Sequence, residues 1–130
     1  MRITLLKSKL HRMTVTDANL AYDGSFTIDR DLMDLAGIVP YERIDVLDVT
    51  NGHRLTTYAI EGDRGSGVAC ANGAAAHLIH TGDIVIICSW AEFEPAEVIT
   101  HEPTIVLVGA DNRPRDVSHG VARAAMPMRG

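Results

Sequence analysis

The chain has 130 residues, a length typical of one domain, and 46% of them are hydrophobic. Charged residues make up 22%, which excludes wholesale disorder, and the 5% share of aromatic residues predicts an aliphatic core. The net charge of −5 argues against a broad nucleic-acid surface, which needs clustered Lys and Arg, but it is compatible with a local basic pocket.

No targeting or membrane segment is evident in the sequence. The longest largely apolar run covers residues 84–91, far fewer than the roughly 20 residues of a membrane-spanning helix. Residues 1–10 lack the apolar region of a secretory signal, so we expect a cytoplasmic protein that does not enter a membrane. Cys70 and Cys88 have apolar neighbours and no C-x-x-C spacing, which predicts two reduced thiols in the core; a reactive thiol is the alternative.

The first third of the chain predicts two strands, a turn and a helix. Residues 2–7 and 10–16 mix apolar and polar positions with many β-branched or bulky side chains, which is typical of strands. A tight turn is predicted at Asp23-Gly24. Asp29 then stands at the N-cap of a short helix with an apolar stripe, and Gly37 ends that helix.

The clearest local signal is a hairpin, with strands at 44–49 and 54–60 and the type I′ turn sequence Asn51-Gly52 between them. Further strands are predicted at 68–71, 84–89 and 104–108, and a short helix capped by Asn72 at 73–78. The chain becomes polar after Gly109, so we predict a domain over residues 1–112 and a mobile tail over 113–130. Many short strands with two short helices predict a small, mainly β barrel with helical inserts.

Six stretches, read together in this order and spacing, resemble the pyruvoyl-dependent aspartate 1-decarboxylases over roughly residues 1–110. They are KLHR at 9–12, YDGS at 22–25, TNGHRLTTYAI at 50–60, RGS at 64–66, NGAAAH at 72–77 and GDIVI at 82–86. The resemblance implies a small six-stranded double-psi β-barrel and a homotetramer with active sites at subunit interfaces. It also implies conversion of L-aspartate into β-alanine and CO2 for pantothenate synthesis.

The resemblance further implies that the chain cuts itself between Gly24 and Ser25 into residues 1–24 and 25–130, converting Ser25 into a covalent pyruvoyl group. Decarboxylation of an α-amino acid needs an electron sink at Cα, and no cofactor motif occurs. The histidines are scattered, so we expect no metal. The resemblance to pyruvoyl enzymes implies that no pyridoxal phosphate is used either. Gly24 tolerates strained backbone and lets the Ser25 hydroxyl approach. A Gly-Ser pair alone indicates an ordinary turn, and the second pair, Gly65-Ser66, is predicted to be one.

By resemblance, Thr57 assists self-cleavage and contacts substrate, and Tyr58 donates a proton to Cα. Both residue types are also common in ordinary strands. Adjacent strand residues face opposite sides, so one pocket receives both only at a strand end, a bulge or a subunit seam. Lys9 and Arg54 are expected to bind the two carboxylates of aspartate, since cations pair with carboxylates; a solvated surface charge is the alternative for each.

Other residues are expected near the site. A short run resembles the family's substrate-contacting backbone and its support: Asn72, Gly73, Ala74 and Ala75. Small side chains at a helix start expose N–H groups that bind anions, although tight packing explains the same pattern. His11 is expected either to lie near the site or to pack, and Tyr22 to pack beside the cleavage turn.

Two departures and two rival functions stay open at this point. Asp23 stands where some relatives carry Glu, and Leu47 where some carry a bulkier aromatic residue, which leaves the pocket wall undefined. One rival is a pyruvoyl decarboxylase for another amino acid, which a substrate screen separates. The other is a non-catalytic barrel that serves as a binding module. Intact mass separates it, because a binding module has no reason to cut itself.

Overall fold

The computed structural model describes residues 1–120, which form nine strands, two short α-helices and one 3₁₀ helix. The strands are β1 (Ile3–Thr14), β2 (Asp17–Asn19), β3 (Ser25–Asp29), β4 (Arg43–Asp48), β5 (Arg54–Gly62), β6 (Ala69–Asn72), β7 (Ile84–Phe93), β8 (Thr104–Val108) and β9 (Pro114–His119). The helices are α1 (Arg30–Ala36), the 3₁₀ helix (Gly73–His77) and α2 (Pro95–Val98). The prediction of a mainly β chain with short helical inserts is confirmed.

All nine strands belong to one sheet in the order β2-β6-β3-β5-β4-β7-β1-β8-β9. The pairs β1/β8, β2/β6 and β3/β5 are parallel and the others antiparallel. The sheet therefore has nine strands where six were predicted. Within residues 1–120 no pairing joins its end strands β2 and β9. Closure into a double-psi barrel stays a prediction.

The core lies on one face of this sheet and is aliphatic, as the composition predicted. Strand residues alternate between the two faces, so each central strand contributes every second side chain to the core. Phe26 is the largest fully buried side chain. Its fully buried neighbours come from several strands: Leu10, Met13, Ile28, Ile44, Val46, Val85 and Ile87. Burial of one such side chain contributes about 1.5–3 kcal/mol, which fixes the inward face of every central strand.

Helix α1 begins and ends where its caps predict. The Asp29 carboxylate accepts a hydrogen bond from the Asp31 N–H at 2.9 Å, and Gly37 ends the helix with φ of 69°. Asp29 also accepts from the N–H groups of Gly65 and Gly67, at 3.1 and 2.9 Å. One buried carboxylate therefore ties the helix start to the loop after β5. That loop contains Ser66, whose N–H donates to Asp63, so the predicted turn at this Gly-Ser pair is confirmed.

The β4/β5 hairpin is confirmed, but its turn is not type I′. That turn needs positive φ at both central residues, and Gly52 has φ of 81° whereas Asn51 is not in this region. Asp48 instead organises the loop by accepting hydrogen bonds from the N–H groups of Thr50 and Asn51, at 2.9 and 3.1 Å. Hydrogen bonds to the Asp48 side chain therefore hold this turn, and Asn51 does not adopt the left-handed conformation that the Asn51-Gly52 sequence predicted.

A second carboxylate lies beside Asp48 beneath this loop. Asp48 is buried and its Oδ2 has no hydrogen-bond partner among residues 1–120. Burial and the neighbouring Asp83 carboxylate raise the pKa of Asp48 from 3.8 to about 6, while the presence of Asp48 lowers the pKa of Asp83. Because its folded pKa is raised, Asp48 stabilises the fold fully below pH 3.8 and loses that contribution as the pH rises to about 6. The opposite shift of Asp83 acts only as the pH falls below 3.8.

The two ends of the domain differ from prediction. Residues 2–7 and 10–16 were predicted as two strands, but β1 is one strand, with register shifts between Leu6 and Ser8 and between His11 and Met13. At the other end, β9 lies beyond residue 112 and pairs with β8, so the sheet extends into the segment predicted as a tail. Residues 121–130 of that predicted tail lie outside the described residues. None of the helices in residues 1–120 combines the length and apolarity that a membrane span requires.

Candidate active site

The Gly24–Ser25 bond joins an exposed bend to a buried strand. Ser25 is the first residue of β3 and is only 5% exposed, whereas Gly24 is exposed. The predicted turn lies earlier, at Leu20 and Ala21, where the Asn19 side chain accepts from the Ala21 N–H at 2.9 Å. Gly24 does not have positive φ, so its backbone is not in the left-handed region. Gly24 contributes instead by having no side chain next to the Ser25 hydroxyl.

Asn72 holds the Ser25 hydroxyl. The antiparallel register of β3 and β6 sets Asn72 opposite Ser25, and Asn72 Nδ2 donates to Ser25 Oγ at 3.0 Å and to Thr27 Oγ1 at 2.9 Å. Ser25 Oγ in turn donates to the Asp23 carbonyl at a long 3.4 Å. Asn72 precedes the 3₁₀ helix but its side chain makes no capping bond, so the predicted cap is wrong. The Asn72 side chain instead donates to the hydroxyls of Ser25 and Thr27.

Gly73 contacts residues 22–24, which precede the predicted cleavage bond and which we call the cleavage segment. It has φ of 63°, and a Cβ built there would lie 2.7 Å from both the Gly24 nitrogen and the Tyr22 carbonyl oxygen. No side chain fits this position, so a glycine is required by both conformation and space. Ala74 and Ala75 follow in the 3₁₀ helix; Ala74 is exposed, and Ala75 belongs to the core.

A cleft of about 340 Å³ opens beside Asn72, the residue that donates to the Ser25 hydroxyl. Its walls come from β2, β3, β6 and the bend: Asp17, Ala18, Asn19, Tyr22, Thr27, Val68, Cys70 and Asn72. Tyr22 therefore lies beside the cleavage segment, with its side chain largely exposed. Cys70 also lines the cleft and is only partly buried, so the prediction of a buried thiol is wrong for Cys70 and right for Cys88.

Lys9, His11 and Arg54 lie on the sheet face that points away from the core, which we call the outer face. Lys9 pairs with Cys88, which pairs with Asp45, so these three side chains form one row across β1, β7 and β4. The next row, two residues along each strand, runs from His11 through Ile86 and Leu47 to Arg54. Lys9, His11 and Arg54 therefore share a face, because residues two apart in a strand point the same way.

The outer face carries open clefts and unpaired cations. One cleft of about 220 Å³ is lined by Asp45, Leu47, Arg54, Leu55 and Thr56. Within residues 1–120 neither Lys9 nor Arg54 forms an ion pair or a side-chain hydrogen bond. Burial, followed by the charges of Lys9 and Arg12, lowers the pKa of His11 and so favours its neutral form. No bond joins Lys9 or Arg54 to Ser25 in the described part of the chain.

Thr57 and Tyr58 point to opposite faces. They pair with Ile44 and Arg43 in consecutive positions with no register shift, so no bulge brings them together. Tyr58 points to the outer face and stacks with Tyr41 at a ring-centroid distance of 6.4 Å. Thr57 lies on the face of the buried Ile44. One subunit therefore does not present both side chains to one pocket, which is the conflict that strand alternation foresaw.

The parallel pairing of β3 and β5 relates these residues to the cleavage bond. Phe26 pairs with Ala59, and both side chains are fully buried. One residue earlier on each strand, Ser25 and Tyr58 therefore lie side by side, with both side chains on the outer face. Thr57, one residue before Tyr58 on β5, points to the opposite face, where the core residue Ile44 lies. The structure thus brings together Tyr22, Ser25, Asn72 and Gly73, with Tyr58 on the neighbouring strand. Thr57 lies on the other face of the sheet, and Lys9, His11 and Arg54 lie elsewhere on the outer face.

Two residues of the site escaped the sequence analysis. Thr27 is the second acceptor of the Asn72 amide, and Cys70 donates its thiol proton to Asn72 Oδ1 at 3.2 Å. Strand alternation was the available signal, because Thr27 lies two residues after Ser25 and Cys70 two residues before Asn72. No group of three or more His, Cys, Asp or Glu side chains in residues 1–120 is arranged to hold a metal ion.

The fold and site define a small mainly β protein whose polar centre is a buried serine hydroxyl at a strand start, served by an asparagine amide. A family model described as aspartate decarboxylase matches residues 1–115. The chain belongs to the aspartate decarboxylase family, as its sequence motifs predicted. The family description gives the class of reaction, decarboxylation, and the substrate, aspartate.

Proposed function

We propose that this chain cuts itself between Gly24 and Ser25, and that the resulting pyruvoyl enzyme converts L-aspartate into β-alanine and CO2 for pantothenate synthesis. The observation that carries the proposal is the Ser25 hydroxyl, buried at the start of β3, directly after an exposed glycine, with Asn72 Nδ2 at 3.0 Å from its oxygen. The double-psi barrel and the homotetramer implied by the family belong to the same proposal.

Self-cleavage uses atoms of the chain and one water. Ser25 Oγ attacks the Gly24 carbonyl carbon, and the C–N bond breaks as the nitrogen takes the hydroxyl proton, leaving an ester. Loss of the Ser25 Cα proton and of the Cβ–Oγ bond then releases the Gly24 carboxylate and leaves dehydroalanine. Water replaces the nitrogen of that residue, giving ammonia and the pyruvoyl carbonyl. By resemblance to the family, we assign Thr57 to support the oxygen of the shifting acyl group.

The Asn72 amide suits the elimination step. Ser25 Oγ leaves as one oxygen of the Gly24 carboxylate, so negative charge grows on the atom that accepts from Asn72 Nδ2. A hydrogen bond to a charged group contributes about 1.5–3 kcal/mol, and a donor already in position needs no reorganisation. Asn72 therefore favours the elimination more than the initial attack.

The surroundings of Ser25 fit a pyruvoyl group. Its planar carbonyl needs a donor and little space, and Asn72 Nδ2 is a donor while Gly73 carries no Cβ. The pyruvoyl carbonyl supplies the sink for the electron pair that CO2 leaves at Cα. The residues of the chain then have two tasks, which are to hold the carboxylates of aspartate and to return a proton to Cα. Tyr58, beside Ser25 on the outer face, is the proposed proton donor.

Lys9 and Arg54 are the proposed carboxylate ligands, because each is a cation without an internal partner on the outer face. Lys9 lies on β1, four strands away from Ser25 on β3. At about 4.8 Å per strand this is roughly 19 Å measured along the sheet, so the two residues do not lie on neighbouring strands. A site shared between subunits resolves the separation, since the outer face of one copy then meets Ser25 of another. This is the support for homotetramers with active sites at subunit interfaces.

Intact mass of purified protein is the test. We expect two chains, residues 1–24 and 25–130, the larger one starting with a carbonyl that hydrazide reagents label. Ser25→Ala should stay intact and inactive. Ser66→Ala is the matched control, because it alters the other Gly-Ser pair, which lies in an exposed turn, and should cleave normally. A single uncut chain after prolonged incubation would exclude the proposal. A cleaved protein that does not decarboxylate aspartate would indicate a different amino-acid substrate.

A further inference from the structure

We propose that two hydrogen bonds hold the Asp45 carboxylate away from Arg54, so that the Arg54 guanidinium stays free to bind a carboxylate of the substrate. The inference rests on the proposed function, because it concerns how Arg54 binds aspartate. The donors are the Thr56 hydroxyl, 2.6 Å from Asp45 Oδ1, and the Trp90 indole N–H, 2.9 Å from Asp45 Oδ2. Thr56 and Trp90 are therefore positioning residues for Arg54.

Asp45 lies close enough to Arg54 to compete with the substrate. Asp45 pairs with Thr56 across β4 and β5, and Arg54 lies two residues before Thr56 on β5. Such diagonal neighbours are about 7–8 Å apart, within reach of a long side chain. Asp45 and Arg54 also line the same cleft of about 220 Å³ on the outer face. Within residues 1–120, however, no salt bridge includes either of them.

The two hydrogen bonds explain why this ion pair does not form. Thr56 and Trp90 approach Asp45 from the strands on either side of β4, and each occupies one carboxylate oxygen. A turn of the carboxylate towards Arg54 breaks at least one of these bonds. A hydrogen bond to an ionised acceptor is about twice as strong as one between neutral groups, whereas an exposed ion pair contributes little. The observed orientation of Asp45 is therefore the more stable one.

Loss of either donor gives Arg54 an internal partner that competes with the substrate. An exposed ion pair forms with an equilibrium constant of about 1.5 to 5, so the released Asp45 occupies Arg54 in about 60–85% of the molecules. The apparent affinity for aspartate falls in proportion to the fraction of Arg54 that stays unpaired. We therefore expect the KM for aspartate to rise about 2- to 6-fold. The kcat should not change, because bound aspartate has already displaced Asp45.

The test is the KM of the cleaved protein for aspartate, measured in single and double variants. Thr56→Val keeps the side-chain shape without the hydroxyl, and Trp90→Phe keeps an aromatic ring without the N–H donor. Each should raise the KM about 2- to 6-fold. In an Asp45→Asn background neither change should alter the KM, since a neutral amide forms no ion pair with Arg54. Thr4→Val is the matched control and should keep the wild-type KM, because Thr4 lines a cleft with Asp45 but, among residues 1–120, forms no hydrogen bond with it.

The Asp45→Asn background separates positioning from packing. A rise in KM that persists in this background would mean that the two donors act through packing, and would overturn the inference. An unchanged KM in both single variants, as expected if the released carboxylate pairs with Arg43 instead, would overturn it as well. Should Trp90→Phe not fold, Thr56→Val carries the test alone. The wild-type assay tests the proposed function separately: a chain that stays uncut or does not decarboxylate aspartate would overturn that function and this inference with it.

Discussion

Substitution of Gly73 by alanine tests whether the cleavage segment needs its observed position. The added Cβ would lie 2.7 Å from the Gly24 nitrogen and must move to an ordinary contact of 3.4 Å, so the two segments separate by about 0.7 Å. Misplacement of a reacting group by about 1 Å costs roughly 10²-fold in rate. We therefore expect Gly73→Ala to cleave about 10- to 100-fold more slowly, measured as the loss of intact mass with time.

The matched control is Gly37→Ala. Gly37 has φ of 69°, close to the 63° of Gly73, but a Cβ there meets no atom within 4 Å. Both variants carry the cost of a left-handed alanine, about 1–2 kcal/mol of stability, whereas only Gly73→Ala displaces the cleavage segment. Gly37→Ala should lower the melting temperature and cleave at the wild-type rate. Equal cleavage rates in the two variants would refute the argument from the Gly73 contact.

Three further predictions concern binding, chemistry and stability. Arg54→Ala should cleave normally, but its kcat/KM for aspartate should fall by a factor equivalent to about 2–5 kcal/mol. An unchanged kcat/KM would contradict the role of Arg54 in binding aspartate. Tyr58→Phe should mature but lose about 10²-fold or more in β-alanine formed per pyruvoyl group, while Thr57→Val should stay mostly uncut; a fully active Tyr58→Phe would assign the proton to another donor. Asp48→Asn keeps the loop acceptor and should raise the free energy of unfolding at pH 7 by up to about 3 kcal/mol, with the gain vanishing near pH 4. Urea unfolding at both pH values measures this gain, and a gain independent of pH would refute the raised pKa of Asp48.

Local signals predicted the elements whose causes are local. The Asp29 cap and Gly37 stop gave the right bounds for α1, because capping depends on residues within one turn. Residues 44–60 formed the expected hairpin, yet the turn type was wrong, since the Asp48 side chain competed with the backbone preference of Asn51-Gly52. Strand β9 was missed because its polar residues are exposed and its partner, β8, holds it through backbone bonds that carry no sequence pattern.

Motif spacing identified the family, because the chemistry of a family depends on residue types in a fixed order, and the proposed cleavage bond next to Ser25 follows from that resemblance. Spacing also foresaw that Thr57 and Tyr58 face opposite ways, since strand alternation is a property of the backbone. The pairing of β3 with β6 and β5 was decided by tertiary structure alone. That pairing brought Asn72, Cys70 and Gly73 to the cleavage segment and set Lys9 roughly 19 Å away along the sheet. Contacts between distant strands depend on how the whole aliphatic core is buried, and no local stretch of sequence records that.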